Sequence, residues 1–435
     1  MDTASQEKTQ YWLLTWLESK RIKTVSEAAT LLGRQSMYRE LREVARQWTE
    51  CAEPPPPSVN LVAGSGIRLD DDRLSCPSPT CRRLQVNILF RHAWHYFDRI
   101  LLPDGVGELL LDPPSNWSAR YTKERLFELL DVVLHIQKLG ASSLVHYYPS
   151  IKTRPRARVA TPADQREQWT NAWEQVEAAM VAEVKYRFER VGPRKFSVLY
   201  SDPYLGITFP LTIQFEKGEP QTEDTLRERA AHWMMHWHMA DFEEDIETAR
   251  HLRGLLASTI WTHERALSIM SKVPDPSSIA FHVAFPTLER VPIKELIAIR
   301  QANGDAFLSF RNALTKAARE MSANSGVVDY ESLAMQIKLD YVEPELATIR
   351  RRLTSAKRAL AKKCVESIGL SAMGTLCALQ LGLFPATTAV ATAAAIGGAS
   401  ALSSLNAGLS KYNDEKQAVE FSDMYFLWKT LEHAA

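Results

Sequence analysis

From Ser367 to Ser410 the chain runs 44 residues without a charged side chain. A helix on the surface of a soluble domain keeps a charged or polar outer face. A run this long without charge must instead lie against other helices or lipid along most of its length. A bilayer core of ~30 Å takes about 20 helical residues. Ile368 to Phe384 and Ala386 to Leu409 are each near that length, and Pro385 stands between them. The expectation is a two-helix hairpin of transmembrane type over 367–410, turning at Pro385.

The pattern within the run points to close packing. Ala389, Ala393, Gly397 and Ala401 recur every fourth residue, and Gly374, Gly382 and Gly398 add further positions without bulk. Stripes of small residues let helix backbones approach closely in membranes. Thr387, Thr388, Ser400, Ser403, Ser404 and Asn406 suit contact with other helices or water better than lipid, as in a homo-oligomer or pore wall. Upstream, Arg350, Arg351, Arg352, Lys357, Arg358, Lys362 and Lys363 form a basic flank with no acid among them. Basic residues stay on the cytoplasmic side of a membrane, and a hairpin returns both of its ends there. An Ala/Gly-rich hairpin buried in a soluble helical bundle is the alternative.

The rest of the chain reads as a mainly α, multi-helix body with a minor β element. The 435 residues are 45% hydrophobic and 24% charged, with 52 basic and 52 acidic residues. Those fractions are ordinary for globular domains. A net charge of zero supplies no general field for nucleic acid or an anionic surface. Five cysteines without framework spacing predict a reducing compartment, and the polar N-terminus lacks the features of a signal peptide. Linkers divide the chain into 1–53, a helical N-terminal segment; 54–160, a helical region after Pro54–Pro57; 161–345, a central helical region; and 346–435. Within 161–345, Phe196–Phe215 reads as the minor β passage: Ile207, Phe209, Leu211, Ile213 and Phe215 alternate as in a half-buried strand, with Pro210 marking an edge.

Few motifs carry chemistry. Gly64-Ser65 before Asp70, Asp71 and Asp72 reads as a polar turn, because the spacing is too short for a metal-holding acidic pair. With 18 glycines in the chain, phosphate-cradling loops are not expected. His232 and His236, at i, i+4, share a helix face beside His238, Asp241, Glu243, Glu244 and Asp245. That is the spacing of two zinc ligands, but Trp233 stands where a zinc protease needs Glu. No catalytic, cofactor or metal residue is assigned, and the chain is read as no enzyme. Trp12 with Trp16, Trp169 with Trp173, and Trp233 with Trp237 are read as helix–helix core.

Two resemblances bear on function. Ala28, Ala29, Leu32, Gly33, Tyr38, Arg39 and Leu41, within 24–46, resemble the helix-turn-helix of Fis-type DNA-binding proteins, with a shorter turn. That resemblance implies a soluble regulatory or nucleic-acid-binding protein. The layout of soluble body, basic helix and uncharged hairpin resembles the membrane effectors of bacterial anti-phage defence, among them Hailong-type channels. It implies a homo-oligomeric channel with a cytoplasmic body and an inner-membrane hairpin, gated by a nucleotide or oligonucleotide signal.

Overall fold

The structure, a computed structural model, describes residues 11–52, 55, 58–64, 78–149, 163–201, 208–239, 242–257, 261–270, 276–283, 291–325, 330–368, 410, 413–420 and 422–434. It is mainly helical, as expected, with two small sheets. The chain divides into two units. The first comprises 1–284, 292–298 and 322–331; the second comprises 285–291, 299–321 and 332–435.

The first unit opens with three helices, α1 (Trp12–Ser19), α2 (Val25–Leu32) and α3 (Gln35–Cys51). Helix α1 buries Trp12, Leu13, Leu14, Trp16 and Leu17, so this tryptophan pair is core. Helix α2 starts at a capping box: the Thr24 side chain accepts from Glu27 N–H, and the Glu27 carboxylate accepts from Thr24 N–H. These bonds satisfy orphan donors of the first turn.

There follow β1 (Asn60–Ala63), α4 (Pro79–Ala93), β2 (Arg99–Pro103), α5 (Gly105–Leu111), α6 (Ala119–Lys138) and β3 (Val145–Tyr148). Next come α7 (Ala163–Glu183), β4 (Tyr186–Gly192), β5 (Lys195–Ser201), β6 (Thr208–Gln214), α8 (Glu223–His238), α9 (Phe242–His251), β7 (Leu255–Ala257), α10 (Trp261–Met270) and α11 (Pro276–His282). Strands β1, β2, β3 and β7 form one parallel sheet in the order β3-β2-β1-β7. It joins strands of the 54–160 region to one from 161–345.

This sheet departs from the expected helical character of 54–160. Helix α4 ends at Ala93, and Arg99–Pro103, inside the region expected to be helical, form β2. Residues Asn60 to Ala63 are all buried. A central parallel strand is covered on both faces and shows no alternation, and over four residues its pattern matches that of a buried helix.

The expected β passage is present as the antiparallel meander β4-β5-β6, with β6 on its edge and Pro210 opposite Leu199. Phe196, Val198, Ile213 and Phe215 pack from its inner face against Leu226 and Ala230 of α8. A larger cluster runs from Val62 and Leu101 in the parallel sheet through Val176, Met180, Met234 and Met235 to Phe242 and Leu256.

After α11 come α12 (Ile293–Ala302), α13 (Gly304–Ser325) and α14 (Tyr330–Ile337), and in the second unit α13 packs against the last helix, Tyr425–Ala434. Phe426 is fully buried, with its ring centroid 5.4 Å from Phe307 and 5.8 Å from Phe310. Lys429 donates to Asn303 Oδ1 at 2.8 Å. A π turn at Lys338–Val342 leads into α15 (Glu343–Ile368). Pro344 at its start has no N–H to give, which accounts for the wider turn just before it. Leu346, Ile349 and Leu353 form the buried stripe of α15.

Among the described residues, no helix is long and apolar enough to cross a membrane. Residues 369–409, most of the expected hairpin, lie outside the described residues.

Candidate functional site

The strand order of the parallel sheet reverses at β1. From β1 the chain crosses to β2 on one side, and β7 returns to pair with β1 on the other. In open parallel sheets, ligands bind outside the carboxyl ends of the strands at such a reversal. Gly64 is the first residue past β1 there. Its N–H donates to Ala257 O at 2.7 Å. A Cβ at this position would lie 2.7 Å from Leu256 Cδ1, 2.9 Å from Ala257 O and 3.4 Å from Asp245 Oδ2. The backbone at the end of β1 can therefore reach this edge only as glycine. The residue read from sequence as part of a polar turn is instead a constrained end of the central strand.

Asp245 arrives on α9, whose first turn carries Glu243, Glu244 and Asp245. Asp245 is 3% exposed. One turn earlier on the same helix, Phe242 stacks on His263, with centroids 4.3 Å apart. His263 sits in the first turn of α10, just beyond β7. Its Nε2–H donates to the carbonyl of His238, and His238 Nδ1 lies 3.1 Å from Thr262 Oγ1. Burial drives both rings to the neutral form: His238 is pushed down to about 3, with the nearby His263 adding to the effect, and His263 to about 4. Of the histidine–carboxylate group noted in the sequence, His238 and Asp245 belong to this buried edge. Asp241 lies outside the described residues.

Past the end of β2 lies a second buried polar group. The carboxylate of Asp104 accepts hydrogen bonds from Tyr11 Oη, from Trp12 Nε1 at 2.7 Å and from Gly107 N–H at 2.9 Å. The Tyr11 ring stacks on Tyr147 of β3 with centroids 3.8 Å apart. Burial dominates the electrostatics here. It raises Asp104 from 3.8 to about 6 against the opposing pull of three donors. Sequence reasoning missed this group. Its one local signal is Asp104 before Gly105-Val106-Gly107-Glu108, the N-cap of α5.

Arg350, Arg351, Arg352 and Arg358 are exposed on α15, which also carries Lys357, Lys362 and Lys363. Gly374, Gly382, Pro385, Ala389, Ala393, Gly397, Gly398 and Ala401 lie outside the described residues. Helices α2 and α3 are present in the 24–46 segment. A groove along α3 is lined by Arg39, Arg42 and Arg46, but equally by Glu43, Glu50 and Asp112. Trp233, expected in a core, is 60% exposed, because its neighbours Met234 and Met235 take the inward face of α8.

Fold and site together define a class: a small parallel α/β unit with a glycine-ended central strand at its switch point. No family model, no curated protein and no solved structure matches the chain.

Proposed function

We propose that the first unit binds a nucleotide-type ligand, a phosphorylated ribose, at the carboxyl edge of β1 and β7, and that this ligand is the signal the chain answers to. The observation that carries the reading is Gly64, held against Ala257 where the strand order reverses. Glycine at this point lets β1 and β7 close together at the reversal, outside which ligands of open parallel sheets bind, and a carboxylate nearby accepts from ribose hydroxyls. Asp245 stands 3.4 Å from the Gly64 Cβ position and suits that second role. The reading is one of binding without turnover. It ranks above nucleic-acid binding because the arginines of the α3 groove share it with three acids. Titration calorimetry of the full-length protein with NAD+ and with ATP tests it. Binding of either, weakened by about tenfold or more in Asp245→Asn, is the expected result. No heat with either nucleotide at millimolar concentration overturns it.

A second reading concerns output. We infer that segment 367–410 works in a membrane as a homo-oligomeric effector or channel in bacterial defence. The supporting observation is its 44 uncharged residues after a helix that exposes Arg350, Arg351, Arg352 and Arg358. The full-length protein should pellet with membranes after a carbonate wash, and a chain lacking 365–411 should not. Release of the intact protein by carbonate overturns an integral hairpin.

A further inference from the structure

We propose that His232 and His236 form a binding site for a borderline divalent transition-metal ion, Zn2+, Ni2+ or Cu2+, on the exposed face of α8. This goes beyond the nucleotide reading and is independent of it. The two Nε2 atoms stand 3.1 Å apart. Two nitrogens bonded to one ion at ~2.05 Å are about 3.3 Å apart in a tetrahedral site and about 2.9 Å apart at a right angle. The observed separation falls between these values, so the donors are already spaced for chelation.

The outer partner fixes the chemistry of the first ring. His232 Nδ1 lies 3.0 Å from Glu177 Oε1 on α7. A carboxylate only accepts, so Nδ1 carries the hydrogen and donates it. The neutral ring then presents a bare lone pair at Nε2, and His236 Nε2–H donates to that lone pair. Carboxylate–histidine pairs of this kind orient metal ligands and raise their basicity. When a metal enters, the proton on His236 Nε2 is lost to water and Nδ1 takes one up, so the ring stays neutral and both Nε2 lone pairs turn to the ion. His232 is 55% exposed on its side chain, which gives an ion direct entry.

Two protein nitrogens leave coordination positions for water. Among the described residues no group of three or more His, Cys, Asp or Glu side chains is placed to hold a metal, so the site is open rather than structural. Imidazole pairs favour the later first-row ions, with Cu2+ bound most tightly. A built-in reporter lies alongside: the edge of Trp173 meets the His236 ring with centroids 5.3 Å apart.

The test uses full-length protein stripped with EDTA and dialysed, titrated with zinc sulfate by calorimetry and with copper sulfate by tryptophan fluorescence. We expect one equivalent of zinc, and quenching by copper. His232→Ala and His236→Ala should each weaken binding by at least about tenfold, and the double variant little further, because a chelate fails when either donor is missing. Glu177→Gln should weaken zinc binding by about tenfold with an unchanged thermal melt. All three side chains are on the surface or partly so, and far-UV spectra verify that the variants fold. A His236→Ala isotherm that overlays the wild type, or no zinc uptake by the wild type at millimolar metal, overturns the proposal.

Discussion

The Asp104 cluster sets a pH dependence whose sign is counter to the usual behaviour of a carboxylate. A carboxylate that gains hydrogen bonds on folding commonly has its pKa lowered, and then stability is lost as pH falls. Here burial outweighs the donors, and the folded-state value rises from 3.8 to about 6. Between those values the folded state binds more protons than the unfolded chain, so stability falls as pH rises. Below about 4 the contribution is fully present, and above about 6 it has been lost. At 1.36 kcal/mol per pH unit, the interval corresponds to about 3 kcal/mol. Asp104→Asn holds the group neutral in both states and removes the dependence. Its stability relative to the wild type should therefore improve by about 3 kcal/mol as pH goes from about 4 to 7. Urea unfolding of both proteins, followed by tryptophan fluorescence across that range, gives the difference curve and cancels every other titrating group. A flat difference, or one that favours the wild type at higher pH, would refute the claim that burial outweighs Tyr11, Trp12 and Gly107.

His238 and His263 act in the opposite direction: with folded values near 3 and 4 they stay neutral while the unfolded chain protonates below about 6.5. Stability should decline as pH falls from there, and His263→Gln should flatten part of that decline in the same urea series. Thr24→Ala removes the side-chain half of the capping box and should cost about 1 kcal/mol, read from chemical denaturation. Gly397→Leu tests the packing proposed for 367–410. In a membrane it should preserve insertion but reduce oligomer size and ion leak, measured by crosslinking and membrane-potential dyes. Unchanged oligomer and leak would sink that model.

Helices were legible in the sequence wherever one face met the core. The 54–160 region is expected to be helical, and within it α6 covers Ala119–Lys138. The β passage was legible because Ile207, Phe209, Leu211, Ile213 and Phe215 alternate with polar or small residues along the sequence through β6. The parallel sheet was not, because its strands have three to five residues and no polar face. Its position depends on pairings between β1 and β7 that no local pattern encodes. The candidate site was obscured for the same reason. Gly64 gains meaning only when Ala257 lies beside it, and Asp104 only when Tyr11 and Trp12 reach it from about 90 residues away. The His232–Glu177 contact likewise joins two helices, α7 and α8, whereas the i, i+4 spacing of the histidines was visible at once.

The pairing of Ala63 with Ala257 also governs how the chain must be made. These partners are 194 residues apart, and a ribosome adds roughly 5–20 residues per second. Strand β1 therefore leaves the ribosome about 10–40 seconds before the strand that covers one of its edges. Through that interval Leu61 and Val62, wholly buried in the finished sheet, face the cell with an open row of backbone donors and acceptors. Lowering the growth temperature slows translation and aggregation together, but a chaperone that shields short apolar strands acts on this interval alone. Co-expression of such a chaperone should therefore raise the soluble yield more than cooling does.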